Sequence, residues 1–429
     1  MAGFPEPGAL TAGIRGPERR WQNDTEGKRG TTMNAMTTER TGTEANESEL
    51  AERAGAPSDT AKGSAARGDG GESVSPGYLA ALERVAATAG DRVDPADIET
   101  LLAPGTAEET ALLRARAAAM RDRECGRRMV LRALIEFSSA CGNDCKYCGL
   151  RAGNGGAERY RLERDEILAS ARLAQKRGIK TIVLQSGEDN RSAEWIADAL
   201  RGIKEIDDFA ITLSVGERER EDYALWKEAG ADRFLLRVET TDPALYAAIH
   251  EKRTVDTRLR CLTDLRELGY QVGSGVMVGF PGQTLAHLAR DIAFFGTADF
   301  DMIGIGPFIP HPDTPFRNAP AGSVGLTLNA VAVTRLVVKN SWLPATTALG
   351  SMDRDYRVDA LKAGANVVMP NYTPASEKRK YEIYPGKRCV TEGTGACALC
   401  MEGLAAAAGL DLDLSRADSV KMYGIAGKA

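Results

Sequence analysis

Between residues 130 and 369, short apolar runs rich in β-branched residues alternate with stretches of helical period, and this alternation restricts the fold more than any other feature. Eight such runs can be read, at 130–138, 181–185, 211–215, 233–238, 272–278, 302–309, 343–349 and 366–369. Helix-period partners stand at 165–176, 193–206, 220–228, 243–250, 256–268, 285–295, 326–337 and 354–362. Runs this short and apolar suit strands buried on both faces. Eight strand-then-helix units predict an α/β fold, a complete (β/α)8 TIM-type barrel over 124–388. Chemistry in that architecture sits at the C-terminal ends of the strands, so the loops there are where function should be sought.

The flanks read differently. Apolar positions at Leu79, Leu82, Val85, Ile98, Leu101, Leu112 and Leu113 predict a helical lead-in over 77–123. Residues 1–76 are rich in Gly, Ala, Ser, Thr, Glu and Arg with almost no apolar clustering, and are expected to form a disordered low-complexity tail. Met33 and Met36 lie inside it as candidate translation starts alongside Met1. Residues 389–429 form a C-terminal extension. A net charge of -5 provides no basic field for nucleic acid or an anionic membrane. Neither a signal peptide nor a membrane-length apolar run is present, so the expected location is cytoplasmic. In that reducing compartment, eight cysteines point to metal or redox chemistry rather than to disulfides.

Six of the eight cysteines fall in two tight groups. The first, Cys141-Gly-Asn-Asp-Cys145-Lys-Tyr-Cys148, directly follows the first apolar run. Three thiolates leave one iron of a 4Fe-4S cluster open, and the amino and carboxylate groups of S-adenosylmethionine (SAM) can chelate it. An electron from such a cluster breaks a carbon–sulfur bond of SAM and releases a 5′-deoxyadenosyl radical. A zinc site also uses closely spaced cysteines, but no histidine stands near to complete one. Tyr147 before the last cysteine also fits the radical SAM signature.

Candidate ligands for SAM stand at the other strand ends. Gln185, Ser186 and Glu188 follow the second run, where Gly187 lets the backbone approach a ligand and a carboxylate suits the SAM amino group; an ordinary loop looks the same. Arg237 and Glu239 alternate after the fourth run and Arg258 opens a helix; they suit the SAM carboxylate or, equally, a structural ion pair. Glu217 carries the same ambiguity with a weaker claim, and His311, in the proline-rich run after the sixth strand, is a candidate site residue or equally a loop cap. Thr346 and Thr347 in the seventh run offer hydroxyls to an anionic substrate, while Met302 and Met369 line the cavity or simply pack. The second group, Cys389, Cys397 and Cys400, suggests an accessory 2Fe-2S or 4Fe-4S cluster, with adventitious zinc as the alternative. Cys125 and Cys261 read as isolated buried thiols.

Long stretches then carry a resemblance: Leu134-Ile-Glu-Phe-Ser-Ser, Thr181-Ile-Val-Leu-Gln-Ser-Gly-Glu-Asp, Ala231-Asp-Arg-Phe-Leu-Leu-Arg, Gly304-Ile-Gly-Pro-Phe-Ile-Pro-His-Pro-Asp-Thr-Pro, Leu343-Pro-Ala-Thr-Thr-Ala-Leu-Gly and Ala365-Asn-Val-Val-Met-Pro-Asn. From about Val130 to Cys400 the chain resembles the HydE family, the radical SAM maturases that act on H-cluster precursors of FeFe-hydrogenase and are related to biotin synthase and methylornithine synthase. The resemblance implies a barrel around a large internal cavity. It puts Gln185, Ser186, Glu239, Arg258, Tyr381 and Tyr384 near SAM. It puts Arg233, Thr346, Thr347 and Met369 deeper, at an anion-binding or substrate cavity, and matches the second cysteine group to a variable, dispensable cluster.

It further implies action on a cysteine-bound iron carbonyl cyanide precursor, an electron donor such as reduced ferredoxin or flavodoxin, and a transient scaffold maturase. The competing enzymes are biotin synthase, whose sacrificial cluster needs cysteines that these strands lack, and methylornithine synthase, which the residues do not exclude. A non-catalytic iron-sulfur electron carrier is the competing class, and it requires a fourth protein ligand.

Overall fold

The computed structural model describes residues 73–388, 390 and 398–422. The tail expected at 1–76 lies outside them up to residue 72, and Pro76 already opens the first helix. Three helices lead in: α1 (Pro76–Ala87), α2 (Pro95–Leu102) and α3 (Ala107–Cys125). Each starts on a side-chain cap, Ser75, Asp94 and Thr106, and the first two carry proline in the first turn, where its missing N–H costs nothing. They cover α10 (Val324–Val338), which is therefore buried from Thr327 to Val338 although it lies outside the sheet.

The strands are β1 (Arg128–Leu131), β2 (Ala133–Ser138), β3 (Thr181–Ser186), β4 (Ala210–Ser214), β5 (Arg233–Leu235), β6 (Gln271–Val278), β7 (Met302–Pro307), β8 (Val367–Val368) and β9 (Asp411–Asp413). Between them run α4 (Arg164–Lys176), α5 (Ala193–Ile206), α6 (Arg220–Glu228), α7 (Pro243–Ile249), α8 (Val255–Glu267), α9 (Leu285–Ala298), α11 (Thr347–Gly350) and α12 (Arg357–Lys362); α13 (Ala398–Ala408) precedes β9. β2 to β7 form one sheet in chain order, β8-β1-β9 a second, and every strand pair is parallel. On β5, Phe234 turns outward onto Tyr223 and Trp226, its ring 5.1 and 6.3 Å from theirs. Burying such a ring contributes roughly 1.5–3 kcal/mol. The strand alternation then turns Arg233 and Leu235 inward.

Three of the expected runs come out differently. The first, 130–138, is two strands parted at Arg132, and they belong to different sheets. The fourth stops at Leu235, after which only Glu239 bridges β6, at Val276. The seventh, 343–349, is not a strand: Trp342 and Pro344 make isolated bridges to Met302 and Val367, and Thr347 opens the short helix α11. Pro344 has no N–H to give a ladder, which explains the break.

The C-terminal segment closes the end where the strands begin. β9 pairs with β1, and Arg416 O accepts from Thr181 Oγ1 at 3.0 Å. Asp418 pairs with Arg233 at 2.9 Å, and Ser419 donates its N–H to Gln271 Oε1 at 2.8 Å. Thr181, Arg233 and Gln271 are the first residues of β3, β5 and β6, so the strap crosses the N-terminal end. Among the described residues no helix is long and apolar enough to cross a membrane.

Candidate active site

The loop from Cys141 to Cys148 leaves the C-terminal end of β2 and is stapled to three neighbouring segments. Gly142 N–H donates to Glu188 O at 2.9 Å, Lys146 N–H to Ile249 O at 3.0 Å and Gly149 N–H to Ile383 O at 3.0 Å. Arg159 joins its two ends, donating to Ser139 O at 2.8 Å, Leu150 O at 2.9 Å and Arg151 O at 2.8 Å. Two glycines permit this packing. A Cβ on Gly187 would stand 2.3 Å from Ala140 O, and one on Gly149 would stand 2.2 Å from Glu382 O. Tyr147 Oη lies 3.0 Å from His250 Nε2, an imidazole that burial lowers to about 3 and keeps neutral.

All three thiols are partly buried. Burial pushes Cys148 up to about 12 and raises Cys141; it raises Cys145 too, with Cys148 and Cys141 adding to the effect. Such thiols become thiolates against a positive centre, which an iron-sulfur cluster supplies. Among the described residues, no three His, Cys, Asp or Glu gather tightly enough to cage a single metal ion.

Beside the loop, two carboxylates and two guanidiniums form a ring. Arg258 meets Glu217 at 2.6 Å and Glu188 at 3.5 Å; Arg253 meets Glu217 at 2.9 Å and Glu188 at 3.2 Å. Arg253 also donates to Asn143 Oδ1 inside the cysteine loop, at 2.8 Å. Arg253 was missed in the sequence, where it stands in an ordinary charged turn between helices.

A cavity of about 260 Å³ opens below, just under the usual range for ligand pockets. Cys148, Gln185, Arg237, Glu239, Tyr384, Thr346, Thr347 and Met369 line it. Arg237 and Glu239 are indeed an ion pair, at 2.9 Å, and the pair borders the cavity. Gln185 Nε2 donates to Tyr381 Oη at 3.2 Å, and Ser186 Oγ turns to Gly187 O at 2.7 Å. Burial, with the Glu136 carboxylate nearby, raises the Tyr381 and Tyr384 hydroxyls, so both remain protonated. His311 Nδ1 accepts from Asp313 N–H at 3.1 Å, a loop cap.

Met302 lies lower, in a void of about 20 Å³ that shares Leu235, Gly304, Pro344 and Met369 with the cavity. Arg233 is lower again and fully buried, bound to Asp418 and to Gln271 at 3.1 Å; it does not line the cavity. Cys389 and Cys397 lie outside the described residues, and Cys400 is exposed on α13.

Two further polar groups were missed. Glu136 and Lys387 form a buried ion pair in the cavity wall, with Asn371 Nδ2 donating to Glu136 Oε2 at 2.9 Å. Arg132 borders the void with Nε and Nη2 unpartnered, as are Thr212 Oγ1 and Trp342 Nε1. The signal for Arg132 and Glu136 was available: both are charges inside an apolar run.

Comparison with known proteins places residues 135–295 in the Radical SAM superfamily. Over 283 residues the chain is 49% identical to the FeFe hydrogenase maturase subunit HydE of Thermotoga maritima, covering 66% of this chain and 81% of that protein. It is 28% identical over 275 residues to 3-methylornithine synthase of Methanosarcina acetivorans, covering 63% and 77%. Among solved structures, methylornithine synthase superposes with a TM-score of 0.62 at 24% identity, over 81% of this chain and 96% of that one.

Proposed function

The chain belongs to the family of the FeFe hydrogenase maturase HydE, radical SAM enzymes, and from that premise we propose that it cleaves SAM at the cysteine loop and directs the resulting 5′-deoxyadenosyl radical onto an iron carbonyl cyanide precursor, bound as its cysteine adduct, in H-cluster assembly. One observation carries the reading. A single cavity runs from Cys148 past Arg237 and Glu239 to Thr346, Thr347 and Met369, and shares walls with a void bordered by unpartnered N–H and O–H groups.

Cys141, Cys145 and Cys148 hold the 4Fe-4S cluster, which supplies the electron for SAM cleavage. Gln185, Ser186, Glu188, Arg237, Glu239, Arg258, Tyr381 and Tyr384 bind and orient SAM; the amide of Gln185, the cation of Arg237 and the carboxylate of Glu239 line one cavity and suit its zwitterionic headgroup. The protonated tyrosines donate hydrogen bonds rather than repel that headgroup's carboxylate. Thr346 and Thr347 orient the precursor and Met302 and Met369 enclose it, while Arg233, which lines neither the cavity nor the void, supports their floor through Asp418 and Gln271. The buried Arg132 side chain and the Trp342 indole N–H favour anionic ligands such as cyanide.

Cys389, Cys397 and Cys400 hold an accessory cluster. Reduced ferredoxin or flavodoxin delivers the electrons, in the cytoplasm, and a scaffold maturase receives the product. The eight runs close a complete barrel, a reading supported by the bridges of Trp342, Pro344 and Asn371 to Met302, Val367 and Leu134. With its lead-in at 77–123 and its extension from 389, that barrel is one domain over 124–388.

The test is anaerobic cluster reconstitution followed by dithionite, SAM and the iron precursor. Wild type should form 5′-deoxyadenosine and consume the precursor, and Cys145→Ser should form none above background. Wild-type 5′-deoxyadenosine at that same background would sink the radical SAM reading for these cysteines. Turnover of lysine in place of the precursor would replace the maturase reading with methylornithine synthesis.

A further inference from the structure

Asp291 is wholly buried on α9, behind the turn that follows β5, and none of the chemistry above uses it. Burial pushes its carboxyl up to about 7, so its place in the fold is costly to maintain. Its bonds show what it holds. Oδ1 accepts from the Thr241 N–H and from Thr241 Oγ1, both at 2.6 Å, and from Thr240 Oγ1 at 3.5 Å.

That turn begins at Glu239, whose φ of 61° lies in the left-handed region that a glutamate seldom occupies. Such a conformation persists only where its surroundings hold it. The turn ends at Asp242, whose Oδ1 caps α7 by accepting from Leu245 N–H at 2.9 Å. At the far end of the same helix, Ile249 O accepts from Lys146 N–H at 3.0 Å and His250 meets Tyr147 Oη at 3.0 Å. One buried carboxylate therefore anchors a segment that presents Glu239 to the cavity at its start and grips the cysteine loop at its finish.

We infer that Asp291 is a positioning residue for SAM binding, holding Glu239 in its left-handed conformation and, through α7, keeping the cysteine loop in register with it. The inference rests on the reading of Glu239 as a SAM-binding residue.

The test uses the full chain with its cluster reconstituted, titrating SAM by anaerobic calorimetry. Amide hydrogen exchange over 239–242 in the cluster-free protein provides a readout independent of the cluster. Asp291→Ala should weaken SAM about tenfold and speed exchange at Thr241. Asp291→Asn, whose amide oxygen accepts the same bonds, should stay within about twofold of wild type, and Thr241→Val should lose about threefold. Wild-type affinity in Asp291→Ala or, if that variant does not fold, in Thr241→Val, while Glu239→Ala binds poorly, overturns the inference. Wild-type affinity in Glu239→Ala overturns the reading of Glu239 instead.

Discussion

The two ends of the parallel sheet are both held by arginine–carboxylate pairs, but the pairs serve different purposes. Where the strands begin, Arg233 is matched to Asp418 and Gln271 and also donates to Arg416 O at 2.5 Å, while Arg416 reaches Asp232 at 3.1 Å. These contacts join segments distant in sequence, and backbone groups of the strap fill the strand starts. Where the strands end, Arg253 and Arg258 bridge Glu188 and Glu217 beside a cysteine loop, and Arg237 and Glu239 border a cavity. The same ion-pair chemistry makes a seal where a crossing segment satisfies it, and a polar cavity wall where it faces a void.

Arg258→Ala leaves Glu217, only 4% exposed, with Arg253 alone, and should cost about 3–5 kcal/mol in urea unfolding and weaken SAM in titration. Lost stability with unchanged SAM affinity would make the ring a second seal. Asp418→Ala should cost about 2–3 kcal/mol, less because Arg233 keeps Gln271 and a carbonyl, with SAM affinity unchanged. A weakened SAM complex in that variant would mean that the strap also tunes the upper cavity.

Asp291 should give a pH signature. Its folded pKa near 7 lies above the unfolded value, so the stability it contributes is complete below about pH 4 and is lost as pH rises through 7. Asp291→Asn should therefore gain on wild type between pH 5 and pH 8, by on the order of 2 kcal/mol in urea unfolding at each pH. A flat difference would mean that Asp291 is ionised throughout. The smallest effect is expected for Asp208→Ala, which removes the exposed partner of Arg416; its loss should stay under about 1 kcal/mol in thermal unfolding and shrink with added salt.

Much of this was legible in the chain. The helices expected at 193–206 and 220–228 are α5 and α6 at those residues, because Ser192 caps the first and both carry a regular apolar stripe. The cysteine triad was legible because its three thiols are local in sequence. Arg253, Lys387 and Asp291 were not, since each acquires its meaning from a partner at the far side of a loop or helix. The seventh run misled because Thr-Thr-Ala-Leu is apolar enough for a strand, while Pro344 interrupts the ladder that a strand needs.

The alternation of strands and helices, and the loop that carries Cys141, Cys145 and Cys148 behind the first apolar run, were readable along the chain alone. Periodicity and ligand spacing are local properties, and a chain carries them before it folds. Which charges seal and which face a cavity was set by long-range packing. It took Asp418 to close Arg233 in at one end, and a void beside Thr212 and Trp342 to leave Arg132 with free donors. Whether a buried charge is satisfied depends on what the rest of the chain brings within about 3 Å of it, and no local pattern encodes that distance.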